Sequence, residues 1–444
     1  MALKGLDYFK FTPKTNCKEC GCPTCMAFSM KVAQGGTTID KCPHIKPEDL
    51  AKLSEASAPP MRKFTVGTGK AEFSLGGETV LFRHEKTFVS KCLYGVNVTG
   101  DNIDKVLTEA KKVDYIRIGE RMFCEVVNVE FTGDKGKFLD AVKKANAAER
   151  VVILDCTDTG AAKEAVEICK AGKPILNGAT EANFADMNKI ATDAGILLGV
   201  RAGSLDALYD TVQKLEAAGN KNLVLDVGTK SIKDAFTNAV EIRRAALNPK
   251  GGDRSFGYPS IVNISKLSGG NHECEVGLAS VFTLKYGSII IMSGLDYAAA
   301  LPLYGLRQNI YTDPQKPMRV EPGIYPINGA DENSVCATTV DFALTYFIAS
   351  GEFERSGVPV NLIISDAGGY SVLTAWAAGK LTAGSIAKFV KEKCADKCKN
   401  KTLILPGKVA VLKGELEEAL EGWKIIVGTN EAVGIVKFMK DLKV

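Results

Sequence analysis

Five cysteines within the first 42 residues, Cys17, Cys20, Cys22, Cys25 and Cys42, are the side chains best suited to chemistry. Four follow the pattern Cys17-x2-Cys20-x4-Cys25-x16-Cys42, with Pro43 directly after the last. Three thiols close in sequence and a fourth returning from a distance suit a cubane of iron and sulfide, where each iron takes one thiolate from a tightly wrapped loop. Structural zinc is the weaker reading, because zinc favours two well-separated Cys-x2-Cys pairs; free thiols are the remaining one. Cys22 is a fifth candidate. Lys14, Lys18 and Lys41 flank the cluster and either support an anionic centre or are solvated surface.

The second constellation is negative. The chain has three histidines, His44, His84 and His272, and none follows residue 272. No Ser-His-Asp arrangement and no histidine metal site can be assembled from the last part of the chain. Binding there must use glycines, backbone amides and hydroxyls. The stretch Asp366-Ala-Gly-Gly-Tyr-Ser-Val-Leu-Thr374 offers these at the end of an expected strand, with Tyr370, Ser371 and Thr374 leading into a helix. A Gly-Gly pair in that place is also a common turn. Asp155 and Asp226 end two other expected strands, as catalytic pair or as caps and ion pairs. Gly67-Thr-Gly-Lys70 lacks the spacing of a phosphate loop and reads as a turn. Nine lysines between Lys380 and Lys413 read as a solvated face, with protein docking as the minority reading.

The elements that position these groups follow from the rest of the chain. At 444 residues two or three domains are expected. With 45% apolar and 24% charged residues the chain is globular, and a net charge of +4 gives no case for nucleic acid. The N-terminus lacks the apolar core of a secretory signal, and no apolar run is long enough to span a membrane, so a soluble cytoplasmic protein is expected. In that reducing compartment clustered cysteines are ligands or catalytic thiols, and scattered ones among the thirteen are small core residues.

Residues 1–57 are too few for a core without a metal staple, and Glu55-Ala-Ser-Ala-Pro-Pro60 reads as a linker. Eight β-rich runs follow: Thr79–Phe82, Tyr115–Ile118, Val151–Asp155, Pro174–Asn177, Ile196–Val200, Leu223–Val227, Ile261–Ile264 and Ser288–Met292. Helical stretches such as Gly160–Ala171, Glu181–Ala194, Ser204–Ala218 and Lys230–Leu247 separate them, which predicts a (β/α)8 barrel over 58–322. Ile310–Ser334 reads as a second linker. Over 323–444, strands Val360–Ser365, Lys401–Leu405 and Lys424–Val427 alternate with helices, preceded by one more helix over Val340–Ser350. The expectation is an α/β chain whose C-terminal part is a small doubly wound, Rossmann-like sheet binding its ligand outside the strand carboxyl ends.

Phe9-Lys-Phe-Thr-Pro-Lys-Thr-Asn-Cys-Lys-Glu-Cys-Gly-Cys-Pro-Thr-Cys25, Gly294-Leu-Asp-Tyr-Ala-Ala-Ala-Leu-Pro-Leu-Tyr-Gly-Leu-Arg-Gln-Asn309 and the Asp366–Thr374 loop resemble the large (gamma) subunit family of corrinoid iron–sulfur proteins and acetyl-CoA decarbonylase/synthase. The resemblance implies a 4Fe-4S cluster on Cys17, Cys20, Cys25 and Cys42, with Cys22 spare, and a barrel paired with a small subunit. It implies a corrinoid on the C-terminal domain, contacted by Gly369, Tyr370, Ser371, Val372, Leu373 and Thr374, with Thr339, Thr345, Pro406, Gly407 and Ala432 as further positions. Thr374 would lie beneath a cobalt that takes no protein ligand. The implied role is methyl carriage: Co(I) accepts a methyl group from methyltetrahydrofolate through a methyltransferase, and methyl-Co(III) delivers it to acetyl-CoA synthase. The cluster would reactivate Co(II) with electrons from a low-potential donor such as ferredoxin or a reductive activator, and the C-terminal domain would move on the Ile310–Ser334 linker. From the residues alone, the rival readings are an iron–sulfur flavoprotein of electron transfer and a barrel enzyme using Asp155 and Asp226.

Overall fold

Short runs of β-branched and aliphatic residues, each followed by a helix that in most cases is capped at its start, recur through the middle of the chain, and this repeat closes into a barrel. The computed structural model describes residues 4–33, 36–50, 53, 60–248, 251–313, 318–394 and 397–442. The chain divides into two units, Met1–Tyr115 with Arg121–Tyr311, and Ile116–Glu120 with Thr312–Val444.

In the first unit, β1 (Lys63–Val66) and β2 (Phe73–Gly76) form an antiparallel hairpin. They are followed by β3 (Leu93–Val98), a hairpin of β4 (Asp114–Arg117) and β5 (Glu120–Phe123), and then β6 (Val126–Glu130) and β7 (Val151–Asp155). The series ends with β8 (Ile175–Ala179), β9 (Leu197–Val200), β10 (Leu223–Asp226), β11 (Ser260–Asn263) and β12 (Ile289–Met292). Eight of these pair in the closed order β10-β11-β12-β3-β6-β7-β8-β9, all parallel. The intervening helices start where a side chain accepts a first-turn amide: Asp158 for Thr159–Cys169, Ser204 for Leu205–Ala217 and Ser231 for Ile232–Ala246.

Strand alternation sorts the barrel residues. Val96, Val127, Leu154, Leu176, Leu198 and Leu225 face the helices. Leu93, Val126, Ile153, Ile175, Val224 and Ile261 face the lumen and pack on Val66 and Leu75 of the β1–β2 hairpin. Two residues further along these lumen faces the side chains turn polar, at Asp155, Asn177, Asp226 and Asn263, all buried. The barrel is aliphatic below and polar at the carboxyl ends of its strands.

The sequence reading locates six of the eight barrel strands and misplaces two. Thr79–Phe82 is irregular, because the buried carboxylate of Glu78 accepts the Val89 and Ser90 amides and takes the role a ladder partner would have had. Tyr115–Ile118 falls on the β4–β5 hairpin, outside the barrel. The positions are filled by β3 and β6, whose lumen faces carry Gly95, Asn97 and Asn128 instead of a continuous apolar run. The first expected linker, 55–60, lies almost wholly outside the described residues.

The second unit is a five-stranded sheet of β13 (Gly323–Ile327), β14 (Val335–Val340), β15 (Val360–Ser365), β16 (Thr402–Leu405) and β17 (Lys424–Val427), in the order β13-β15-β14-β16-β17. β13 is antiparallel and the others are parallel. Separate apolar clusters cover the two faces, one including Cys336, Ile363, Ile386 and Leu403, the other Val335, Leu362, Phe353 and Met439. Two expectations are corrected. The Ile310–Ser334 stretch contains β13, an edge strand where Pro326 costs no needed ladder donor. Val340 ends a strand, and the helix read over Val340–Ser350 is Ala343–Ser356. No helix among the described residues is long and apolar enough to cross a membrane.

The Gly294–Asn309 motif locks the barrel. Its helix, Tyr297–Ile310, directs Tyr304 and Arg307 inward. Arg307 donates to Glu125 Oε1 at 2.7 Å and to the Cys92 carbonyl at 2.9 Å, while Glu125 Oε2 accepts the Tyr94 amide at 3.0 Å. Removing one partner of a buried pair strands the other charge in low dielectric. Glu125→Ala is therefore expected to lower stability by about 3–5 kcal/mol, read from the shift in the urea unfolding midpoint.

Candidate functional site

The first candidate site is built on an unusual backbone. Lys14, Asn16 and Lys18 adopt left-handed conformations with φ of 60°, 52° and 68°, and Gly21 follows at 75°. Such conformations are unfavourable for residues with a Cβ, and here they coil the chain around the cysteines. Asn16 Oδ1 accepts the Cys25 amide at 2.9 Å, tying the loop to the start of helix Cys25–Ala33. Cys42 returns after the short turn Ile39–Lys41.

Burial pushes the Cys42 thiol up, and charge on Cys20, Cys25 and Cys17 would push it further, so each of these three thiols lies within electrostatic reach of Cys42. Cys22 joins an apolar cluster with Tyr8, Phe28, Val32, Ile39 and Ile45, which also takes in Cys42 and has Cys20 packed against it. On the exposed side Cys17, Glu19 and His44 also bring one ligand atom each within 4.8 Å of the others, with His44 Nε2 3.0 Å from Glu19 Oε2.

The second site lies in the open sheet. The connection from β14 runs to β15 on one side, and the next, from β15, crosses back over β14 to β16 on the other; this reversal opens a crevice at the strand carboxyl ends. A cavity of about 270 Å³ sits there. Thr339, Thr345, Ser371, Val372, Leu373, Pro406 and Ala432, all anticipated from sequence, line it. Gly369, Tyr370, Thr374 and Gly407 do not. Gly407 instead lets two loops meet: a Cβ there would come within 2.7 Å of Thr429 C and Asn430 Oδ1. Thr374 and Ser371 hydroxyls lie 3.0 Å apart. Around these elements large apolar side chains stay in water: Leu344, Phe347 and Ile348 on one helix, Tyr370 before a second, and Leu373 and Trp376 on it. Thr338, Ile348, Phe353 and Phe438 also line the cavity and were not anticipated, because in sequence they read as ordinary strand and helix core.

The residue that shapes the Asp366–Thr374 loop was also missed. Asp341, fully buried just after β14, accepts the amides of Ala367 and Gly369, each at 3.0 Å, and the Arg319 Nε–H at 2.7 Å. Arg319 reaches on to Asp366 at 2.8 Å. A lone Asp after a strand carries no sequence signal for this, since its partners lie 22 to 28 positions away.

Asp155 and Asp226 do come together, but through a cation. Arg201 donates to Asp155 Oδ1 at 2.7 Å and to Asp226 Oδ2 at 2.8 Å. The ion-pair reading holds over that of a catalytic carboxylate pair.

Fold and sites define a modular α/β protein that carries a four-thiol module ahead of a (β/α)8 barrel and an open sheet with an apolar-rimmed cavity. The chain belongs to the family described as CO dehydrogenase/acetyl-CoA synthase delta subunit, whose model matches residues 63–439; a model described as "Putative Fe-S cluster" matches 13–44. It is 38% identical to the corrinoid/iron-sulfur protein large subunit of Moorella thermoacetica, over 99% of each chain. It is 32% identical to the acetyl-CoA decarbonylase/synthase complex subunit gamma of Methanopyrus kandleri, over 99% of this chain and 97% of that one. A dihydropteroate synthase structure from Thermus thermophilus, in complex with 4-aminobenzoate, aligns with a TM-score of 0.37 and 16% identity over 50% of this chain and 94% of that one, too low to carry an argument.

Asp341→Ala should free the loop without unfolding the sheet. Amide exchange at Ala367 and Gly369 is expected to accelerate by about tenfold or more, while β15 interior amides keep their protection, as read by hydrogen exchange with mass spectrometry.

Proposed function

We propose that this chain is the corrinoid-carrying large subunit of a methyl-transfer system: its N-terminal module, residues 1–57, holds a 4Fe-4S cluster, its barrel (58–322) meets a small subunit, and its C-terminal domain (323–444) holds the corrinoid. The observation that carries the reading is the end-to-end match to a corrinoid/iron-sulfur protein large subunit in a chain that also gathers four cysteine thiols. Four soft sulfur donors beside an apolar cluster fit an iron–sulfur centre better than the mixed Cys17, Glu19 and His44 set fits any one metal. Cys17, Cys20, Cys25 and Cys42 would hold it.

The open domain fits a large flat ligand. Its crevice supplies hydroxyls from Thr339, Thr345 and Ser371, and its exposed Tyr370, Leu373 and Trp376 supply apolar area that a macrocycle would cover. The bound corrinoid supplies a cobalt able to accept and release a methyl group. The protein's own residues hold and orient it: Asp341 and Arg319 keep the Asp366–Thr374 loop in shape, and Gly407 lets the 405–408 and 428–434 loops close on each other. With no histidine in residues 323–444, this domain would offer a corrinoid no histidine ligand of its own, and Thr374 would adjoin the metal without ligating it, which would favour its low-valent state. The partners in this reading are the small subunit, a methyltetrahydrofolate:corrinoid methyltransferase of the 2.1.1 class, acetyl-CoA synthase and a low-potential electron donor such as ferredoxin or a reductive activator.

Metal analysis tests the reading. The purified complex should contain about one cobalt and about four iron per large subunit; flavin in place of cobalt refutes it. Cys42→Ala should lose most of its iron, keep its cobalt and fail in reductive reactivation, while methyl transfer from already-reduced protein persists. The cobalt(II) EPR spectrum should lack nitrogen superhyperfine splitting, and splitting would overturn the ligand-free assignment.

A further inference from the structure

Three of the scattered cysteines meet inside the open-sheet unit. Cys336 lies on β14, Cys394 ends the helix Ala383–Lys393, and Cys398 follows; they are 0%, 0% and 1% exposed. The backbone fixes them against one another. Cys398 gives its amide to the Cys394 carbonyl at 2.9 Å. Lys399 gives its amide to the Glu332 carbonyl at 2.6 Å, Asn400 Nδ2–H goes to the Asn333 carbonyl at 3.1 Å, and the Lys399 ammonium pairs with the Glu332 carboxylate. This lays the segment after Cys398 along the chain entering β14. The Cys398 thiol is thereby in hydrogen-bonding contact with those of both Cys336 and Cys394, and charge on Cys394 also reaches Cys336. Each of the three thiols neighbours the other two.

A single buried cysteine is a small core residue, but three at one point define a ligand set. Their surroundings, which include Val340, Ile363, Ile386, Val390 and Leu403, restrict what that set can hold. Burial pushes the Cys394 thiol up to about 12 and raises Cys336 as well; charge on the neighbouring thiols works in the same direction, and Lys397 opposes it at Cys394 without prevailing. Free thiolates are therefore disfavoured, which sets aside nucleophilic thiol chemistry. Any bound centre that leaves net charge in this apolar core is disfavoured for the same reason. Three thiolates around a divalent ion such as zinc leave a negative charge, whereas three around a trivalent ion leave none. Lys397 and Lys399 are exposed on either side of Cys398, so the thiols lie only one residue beneath the surface.

We propose that Cys336, Cys394 and Cys398 form a binding site for a trivalent, thiophilic ion, arsenic(III), taken up as arsenous acid. The step is a condensation. Three S–H and three As–O bonds break, three As–S bonds form, and the three protons leave with the three hydroxyls as water. Nothing is oxidised or reduced, and the tris-thiolate product is neutral, as an apolar core requires. Soft sulfur donors suit a soft centre, and all three come from this chain. The adduct ties the end of helix Ala383–Lys393 and the segment after it to β14.

Equilibration of the full-length chain, as purified, with sodium arsenite tests this irrespective of cobalt and iron content. Arsenic retained after gel filtration is measured by elemental mass spectrometry. Cys336→Ala, Cys394→Ala and Cys398→Ala should each weaken retention at this site at least about tenfold, the least that loss of a partner to a metal site costs. Cys169→Ala, which removes a buried thiol of the barrel wall, should change nothing. The arsenic absorption edge of the loaded chain should report three sulfur neighbours and no oxygen. Retention indifferent to all three substitutions, or an oxygen neighbour at the site they abolish, overturns the proposal. So does zinc held at these three cysteines more tightly than arsenite, since the neutral product is then not what the core selects. Should the alanine variants not fold, amide exchange of the unsubstituted chain decides: arsenite slowing Lys397 and Cys398 supports the site, and unchanged exchange there refutes it.

Discussion

A carboxylate taken out of water must be matched by donors, and this constraint sets the geometry of each part of the molecule. Glu125 ties the final barrel helix to the barrel wall through Arg307 and the Tyr94 amide. Asp341 collects two loop amides and Arg319, and so gives the Asp366–Thr374 loop one shape. Asp155 and Asp226 hold Arg201 across the barrel mouth. Each buried acid converts a flexible neighbour into a fixed one: a helix, a glycine-rich loop, a side chain at an opening.

The two candidate sites differ in how they are built. The cysteine module concentrates four soft donors on a backbone bent into left-handed conformations beside a small apolar cluster. Bringing such thiols together is unfavourable until a metal centre neutralises them, which couples folding of so small a module to its cofactor. The open sheet has its own cores on both faces and keeps its crevice and exposed apolar rim without assistance.

Much of this was legible in the chain. Cys17, Cys20 and Cys25 all come within electrostatic reach of Cys42 because three of the four are close in sequence and the fourth returns after a short turn. Seven anticipated residues line one cavity because strand carboxyl ends in an open parallel sheet converge wherever the connections reverse direction. Strands β7 to β12 were readable because both their faces are apolar over most of their length. β3 and β6 were not, since their lumen faces carry Gly95, Asn97 and Asn128, and β13 was hidden by the proline and glycine that an edge strand tolerates.

Local order thus settled which residues cluster along the chain: the N-terminal cysteines, the glycine-rich loop, the strand-and-helix alternation and the absence of any histidine after His272. These rest on short-range spacing and composition, which a sequence states outright. Folding alone decided that Cys22 joins the apolar cluster, that Asp341 shapes a loop more than twenty residues away, and that Arg201 parts Asp155 from Asp226. Each depends on which distant groups share a dry interior, where the value of a charge or a donor is set by its neighbours in space and not by its neighbours in the chain.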